Sequence, residues 1–122
     1  MTEEELKYYT ALQPLFREKM GKWRDRDGYM IQGEDIVFYE PPYADDDWWN
    51  DTIYIRLPLP IDPVNPGRGL WGMVKQWRDE PCLRRVEGGS YSMQAHARMF
   101  YADTPTLALL KALAHQEGVE VK

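Results

Sequence analysis

Apolar positions recur at helical spacing near the start of the chain, where Tyr8, Leu12, Leu15, Phe16, Met20 and Trp23 fall on one stripe. Ahead of the stripe, Thr2-Glu3-Glu4-Glu5 has the form of a capping box, with Thr2 as N-cap and Glu5 reaching back from the third helical position. Its acidic residues also suit the positive end of a helix dipole. The stripe runs across Pro14, which removes one helical hydrogen bond and crowds the carbonyl of Thr10, so a kink or a restart is expected there. Gly21 and the turn 25–28 end the helical region. Two short runs follow, 29–32 and 36–40, joined by Gly33-Glu34-Asp35, and they predict a β-hairpin.

Pro41 and Pro42 open a polar and aromatic stretch, after which residues 52–57 have the β-branched and aromatic content of a strand. Pro58 and Pro60 lack ladder donors, so pairing must end there or lie at a sheet edge. Pro60, Pro63 and Pro66 recur every third residue, as in an extended polyproline segment closed by Gly67-Arg68-Gly69. A short helix is expected over 70–77 and a turn region over 79–89. In residues 92–101, Ser92, Gln94, His96 and Arg98 alternate with Met93, Ala95, Ala97 and Met99, which reads as one half-buried strand. The last element has the clearest signature: Thr104 as N-cap, Pro105 at the first helical position, Leu107, Leu110, Leu113 and Ala114 on one face, and Gly118 as the stop. Val119 fits the apolar contact of a glycine-terminated helix, and 119–121 could add a brief edge strand.

This order of elements predicts an α+β fold, a mostly antiparallel sheet of three to five strands packed with N-terminal and C-terminal helices. The 122 residues are expected to form a single domain, 1–122. A chain of 14.4 kDa exposes about 6,800 Å² folded against about 21,000 Å² unfolded, so a core forms without disulfides or metal. The single Cys82 excludes an internal disulfide. With no basic-then-apolar leader and no apolar run approaching about 18 residues, the expectation is a cytoplasmic protein without a membrane partner.

Charge changes the picture of partners. Residues 1–55 carry six Lys/Arg against thirteen Asp/Glu, whereas residues 56–122 carry nine against seven, so the acidity is local. An acidic chain lacks the basic face that neutralises phosphates, which lowers the expectation of nucleic-acid binding without removing it. Two basic clusters keep that alternative open: Lys19, Lys22, Arg24 and Arg26, and Arg78, Arg84 and Arg85. Asp25, Asp27, Asp79 and Glu80 are interleaved with them, as in solvated turns.

Residues 55–73, Ile-Arg-Leu-Pro-Leu-Pro-Ile-Asp-Pro-Val-Asn-Pro-Gly-Arg-Gly-Leu-Trp-Gly-Met, and the Asp-Thr-Pro-Thr-Leu-Ala-Leu-Leu-Lys-Ala-Leu of the final helix resemble small bacteriophage proteins and prophage proteins of Gram-positive bacteria, a family with no assigned activity. The closing strand and Asp-Thr-Pro helix are also similar to phage helix-sheet-helix domains, the "ABA sandwich", over about a quarter of the chain. The resemblance implies a phage-encoded origin, an α+β fold and a bacterial cytoplasm, and it carries no catalytic residues over.

Candidate chemistry is sparse. Asp45, Asp46, Asp47 and Asp51 are the densest set of hard-cation ligands, but adjacent carboxylates converge poorly on one ion and lack the alternating spacing of a calcium loop, so a solvated loop is the stronger reading and no metal site is expected. Cys82 beside Arg84 and Arg85, with His96 on a polar strand face, permits a thiolate pair without arguing for one. His115 suits the negative end of the last helix without any catalytic role. No nucleotide loop, zinc pattern or nucleophile elbow is present; no cofactor is expected, and the balance leans away from an enzyme. Residues 56–60 superficially match a proline-rich ligand, but a structural crossover is the better reading because the segment continues a strand.

Trp48 and Trp49 stand apart. Adjacent residues of extended chain point to opposite faces, so both can hardly enter one core. With Tyr43 and Tyr54 they read either as a rigid aromatic contact surface amid aspartates or as one Trp plugging the core edge while the other covers a loop. Base-stacking aromatics need basic surroundings, whereas these are acidic, which favours a protein partner. Arg68, between two glycines, offers a guanidinium beside a helix start. The sequence thus predicts an accessory protein acting by protein–protein contact, self-association being the simplest form. Tyr43, Trp48, Trp49, Tyr54 and Arg68 are the expected partner-binding residues, and nucleic-acid binding through 19–26 or 78–85 is the alternative.

Overall fold

A computed structural model of the chain describes residues 1–21, 28–32, 34–38, 55–74, 82–86, 88–95 and 98–121. The fold is α+β, with helices flanking small antiparallel sheets. Thr2 caps α1 (Glu3–Ala11), its hydroxyl accepting from the Glu5 N–H at 3.1 Å. The Glu5 carboxylate reaches elsewhere, accepting from the Thr104 hydroxyl at 2.8 Å and tying the start of α1 to the start of the last helix. The chain breaks at Leu12 and restarts as α2 (Gln13–Met20), with Pro14 in the first turn, where its missing N–H costs nothing.

The hairpin forms as β1 (Gly28–Gln32) and β2 (Asp35–Phe38), and β3 (Ile55–Pro58) pairs with the other side of β1, giving the order β2-β1-β3. Pro58 sits at the last position of β3 on the sheet edge, as a residue without an N–H must. After the 3-10 turn Pro66–Arg68, α3 (Leu70–Met73) is shorter than the periodicity predicts, because Val74 turns to extended backbone at ψ 122°.

The second half of the chain differs from expectation in its strands. Its strands are β4 (Cys82–Arg85), β5 (Tyr91–Ala95) and β6 (Arg98–Ala102), in sequence order. The strands described therefore divide between two sheets of three. Residues 92–101 are a hairpin instead of one strand, with Ala95 opposite Arg98, so Met93 faces Phe100 across the pair. Within 79–89, where a turn region is expected, lies β4, an edge strand with exposed Arg84 and Arg85 and a half-buried Leu83, too little apolar alternation to show in the sequence. Finally, 119–121 form no strand, although Val119 does pack on the core.

The final helix, α4 (Pro105–Gln116), begins as expected, with the Thr104 hydroxyl accepting from the Leu107 N–H at 3.1 Å. It lies between the second sheet and helices α1 and α3, so Ala108, Leu109 and Ala112 are buried along with Leu107, Leu110 and Leu113. A helix covered on both sides needs more than one apolar stripe. One core joins Phe16, Leu57, Leu70, Met93 and the leucines of α4, and both sheets and all the helices contribute to it.

Candidate functional site

The predicted aromatic residues Tyr43, Trp48, Trp49 and Tyr54 lie outside the described residues, as do Asp45, Asp46, Asp47, Asp51, His96, Lys22, Arg24, Arg26 and Arg78. What the structure does place is the frame around that segment. The chain leaves β2 at Phe38 and re-enters the same sheet at Ile55, on the other side of β1. It then runs from β3 directly into the proline-rich turn, which is held rigidly.

Asp62 is the anchor of that turn. Its side chain is buried at 4% exposure, and Oδ1 accepts from the backbone N–H groups of Val64 at 2.9 Å and Asn65 at 2.8 Å. Two further backbone bonds, Leu70 N–H to Leu59 O and Trp71 N–H to Pro60 O, each 2.9 Å, staple the turn to α3. The aliphatic residues flanking this buried carboxylate point outward: Ile61 is 66% exposed and Val64 80%. A turn with pinned backbone thus presents two apolar side chains to solvent. Asp62-Pro63 is a turn-initiating pair, and the sequence signal for the turn was there to be read.

Arg68 is turned inward. It is 7% exposed and donates to the Met20 carbonyl, while Arg56, fully buried on β3, donates to the Gly21 carbonyl. Two guanidiniums therefore meet the carbonyls at the negative end of α2, a favourable placement for cations. Beside them an open hollow of about 440 Å³ runs between Lys19 of α2 and Val64, Asn65 and Pro66 of the turn, so a basic side chain borders the same hollow as exposed Val64.

Along one face of α1, from Glu3 to Ala11, lies a wider apolar groove of about 760 Å³. Leu6, Ala11 and Val121 form its apolar lining, and Glu3, Glu120 and Lys7 its charged rim. A smaller hollow continues from it past Glu4 and Tyr8. Thr10, which also lines the groove, donates its hydroxyl to the Leu6 carbonyl at 2.8 Å and so brings no unmet donor there. Burial, and secondarily the Glu4 carboxylate, raises the Tyr8 phenol above its ordinary value.

The outer face of the second sheet is different again. Arg84, Ser92 and Tyr101 stand side by side in register, with Arg84 and Tyr101 exposed on either side of buried Ser92. Met99 is exposed on the same face. Cys82 begins β4, and His115 is exposed on α4 with its ring 5.4 Å from that of Phe100. Among the described residues no group of three or more His, Cys, Asp or Glu could hold a metal ion, and no helix is long and apolar enough to cross a membrane. No protein-family model, curated protein or solved structure matches the chain.

Proposed function

We propose that this chain is a non-enzymatic accessory protein, of the phage-like kind its sequence resembles, and that it works by protein–protein contact. The contact surface spans the acidic aromatic segment 43–54 and the turn that follows β3. The observation that carries this reading is the turn itself: a buried carboxylate fixes the backbone while Ile61 and Val64 stand exposed. A pre-ordered apolar projection loses little conformational entropy when it docks, which is what a contact site requires. Trp48 and Trp49 precede the same turn in the chain and supply the large aromatic area typical of the energetic centre of an interface.

The test is a native pull-down from a bacterial lysate with the wild type, Ile61→Ser/Val64→Ser and Trp48→Ala/Trp49→Ala, the eluates being analysed for protein and nucleic acid. A protein retained by the wild type and lost from both variants supports the reading. The same proteins retained by all three chains overturn it. A second reading, nucleic-acid binding, draws on Arg84 and Tyr101 flanking Ser92, since a guanidinium and an aromatic ring on one sheet face can hold a stacked base. Nucleic acid retained by all three chains and released by salt would favour it.

A further inference from the structure

The exposed turn and the α1 groove are complementary in chemistry. The turn offers two aliphatic side chains, Ile61 and Val64, with Lys19 bordering the same hollow as Val64. The groove offers an apolar floor of Leu6, Ala11 and Val121 with Glu3 and Glu120 on its rim, two carboxylates against the single ammonium of Lys7, while Glu4 just beyond is paired with Lys111 at 3.8 Å. Its volume of about 760 Å³ lies within the range of roughly 300–1,000 Å³ typical of binding clefts. The turn does not fill the groove of its own copy, because Ile61 and Val64 are 66% and 80% exposed there.

We propose that the occupant of the α1 groove is the Ile61–Val64 turn of a second copy of this chain. The contact joins two different patches, so it is isologous when reciprocal and heterologous when it is not. Two copies can close it as a reciprocal pair with two turn-in-groove contacts, or further copies can extend it as an open chain. The apolar pair supplies the attraction, and Lys19 against Glu3 and Glu120 sets the orientation and makes the association weaken with salt. The proposal rests on the reading that the turn is a contact surface, and it names the partner.

The experiment is sedimentation velocity on the full chain across a concentration series reaching about a millimolar. The wild type should rise in average mass from 14.4 kDa toward twice that value for the reciprocal pair, and beyond it for the open chain. Ile61→Glu/Val64→Glu, which brings carboxylates to an acidic rim, and Glu3→Lys/Glu120→Lys, which brings ammoniums to Lys19, should each weaken association by more than about tenfold. All four substituted side chains are exposed, so far-UV circular dichroism should show each variant folded. The decisive sample is the equimolar mixture. One variant keeps an intact groove and the other an intact turn, so association should return on mixing. A wild type that stays at 14.4 kDa throughout, or two folded variants that stay monomeric when mixed, overturns the proposal. A monomeric wild type that still captures a host protein through Ile61 and Val64 would sink the second copy as occupant while leaving the contact reading standing.

Discussion

Gln13 joins the first sheet to the helices, and removing it is the sharpest test of how this fold is held together. Its carboxamide pairs with β3 as a neighbouring strand would: Nε2 donates to the Arg56 carbonyl at 2.7 Å and Oε1 accepts from the Arg56 N–H at 2.8 Å. Nε2 also donates to the Tyr9 carbonyl at 2.8 Å, and the side chain is buried at 6% exposure. Two residues further along, the Tyr9 hydroxyl donates to the Pro58 carbonyl at 3.2 Å. The outer edge of β3 is thereby closed by side chains of α1 and α2 in place of a further strand. Gln13→Ala leaves the Arg56 N–H and C=O without these partners in a site closed to bulk water, and each buried unmet group costs about 1–3 kcal/mol. Water entering the vacated volume recovers part of this, so the expected loss is about 2–4 kcal/mol, a large share of the roughly 5–15 kcal/mol that stabilises a domain. In a chain of this size it lowers the Tm by about 6–16 °C. Urea unfolding followed by far-UV circular dichroism measures the loss. Gln116→Ala is the control, because Gln116 Nε2 donates to the Met73 carbonyl and to the exposed Glu117 carboxylate, each at 3.0 Å, from a half-exposed site that water can refill, and it should cost under about 1 kcal/mol. Were Gln13→Ala as mild as the control with an unchanged urea slope, the edge-pairing account of β3 would be refuted.

Gly72→Ala should be far more damaging than Gly118→Ala. A Cβ at Gly72 would lie 1.8 Å from the Pro66 carbonyl oxygen, so α3 must move off the turn at about 3 kcal/mol or more, whereas Gly118 at φ 67° has open space and costs about 1 kcal/mol in backbone strain. Comparing the two urea midpoints checks the order, and equal effects would remove the close approach as a cause. Thr104 accepts from Leu107 and donates to Glu5, so Thr104→Ala should cost about 1–2 kcal/mol and Thr104→Ser should restore most of it; failure of serine to rescue would implicate the methyl group instead. Burial, and secondarily the Glu5 carboxylate, holds the Tyr9 phenol far above its ordinary value of about 10. A pKa raised by folding means that the unfolded chain loses the proton first, so the stability tied to this phenol is intact below pH about 10 and falls as pH rises beyond it. Alkaline urea titrations should show a steeper loss for the wild type than for Tyr9→Phe, and parallel curves would contradict the burial of the phenol.

The elements legible in the sequence are those whose ends are written in local chemistry. Thr2, Pro14 and Thr104 mark helix boundaries because a cap or a missing N–H acts within a turn of its own residue, and α1, α2 and α4 begin where those residues say. The β5–β6 hairpin was illegible for the converse reason. The two positions between Ala95 and Arg98 are His96 and Ala97, without the Gly, Asn or Asp that tight hairpin turns favour, so the alternation ran on unbroken. Gln13 was equally invisible. A lone glutamine at a helix start reads as surface, and its partner Arg56 stands 43 positions away.

The exposed pair Ile61 and Val64 failed to show in the sequence for a deeper reason. Sequence patterns are read on the premise that apolar side chains turn inward and charged ones outward, and the segment after β3 inverts it. Arg56, Asp62 and Arg68 are buried while Ile61 and Val64 are exposed. Each inversion has a local cause. Arg56 and Arg68 meet the carbonyls ending α2, and Asp62 meets the two N–H groups that the turn would otherwise leave without partners. Because buried polar groups must be satisfied, these three residues fix the backbone more tightly than apolar packing alone would. The turn therefore derives its rigidity from polar side chains, and Ile61 and Val64 are not needed for that purpose. Replacing both by serine should leave the unfolding free energy from urea titration within about 0.5 kcal/mol of the wild type, as for surface positions generally. If that double substitution abolishes capture of a partner at unchanged stability, the two aliphatic residues are there for contact. A loss of several kcal/mol would instead make them part of the core of this protein, and the contact reading would lose its support.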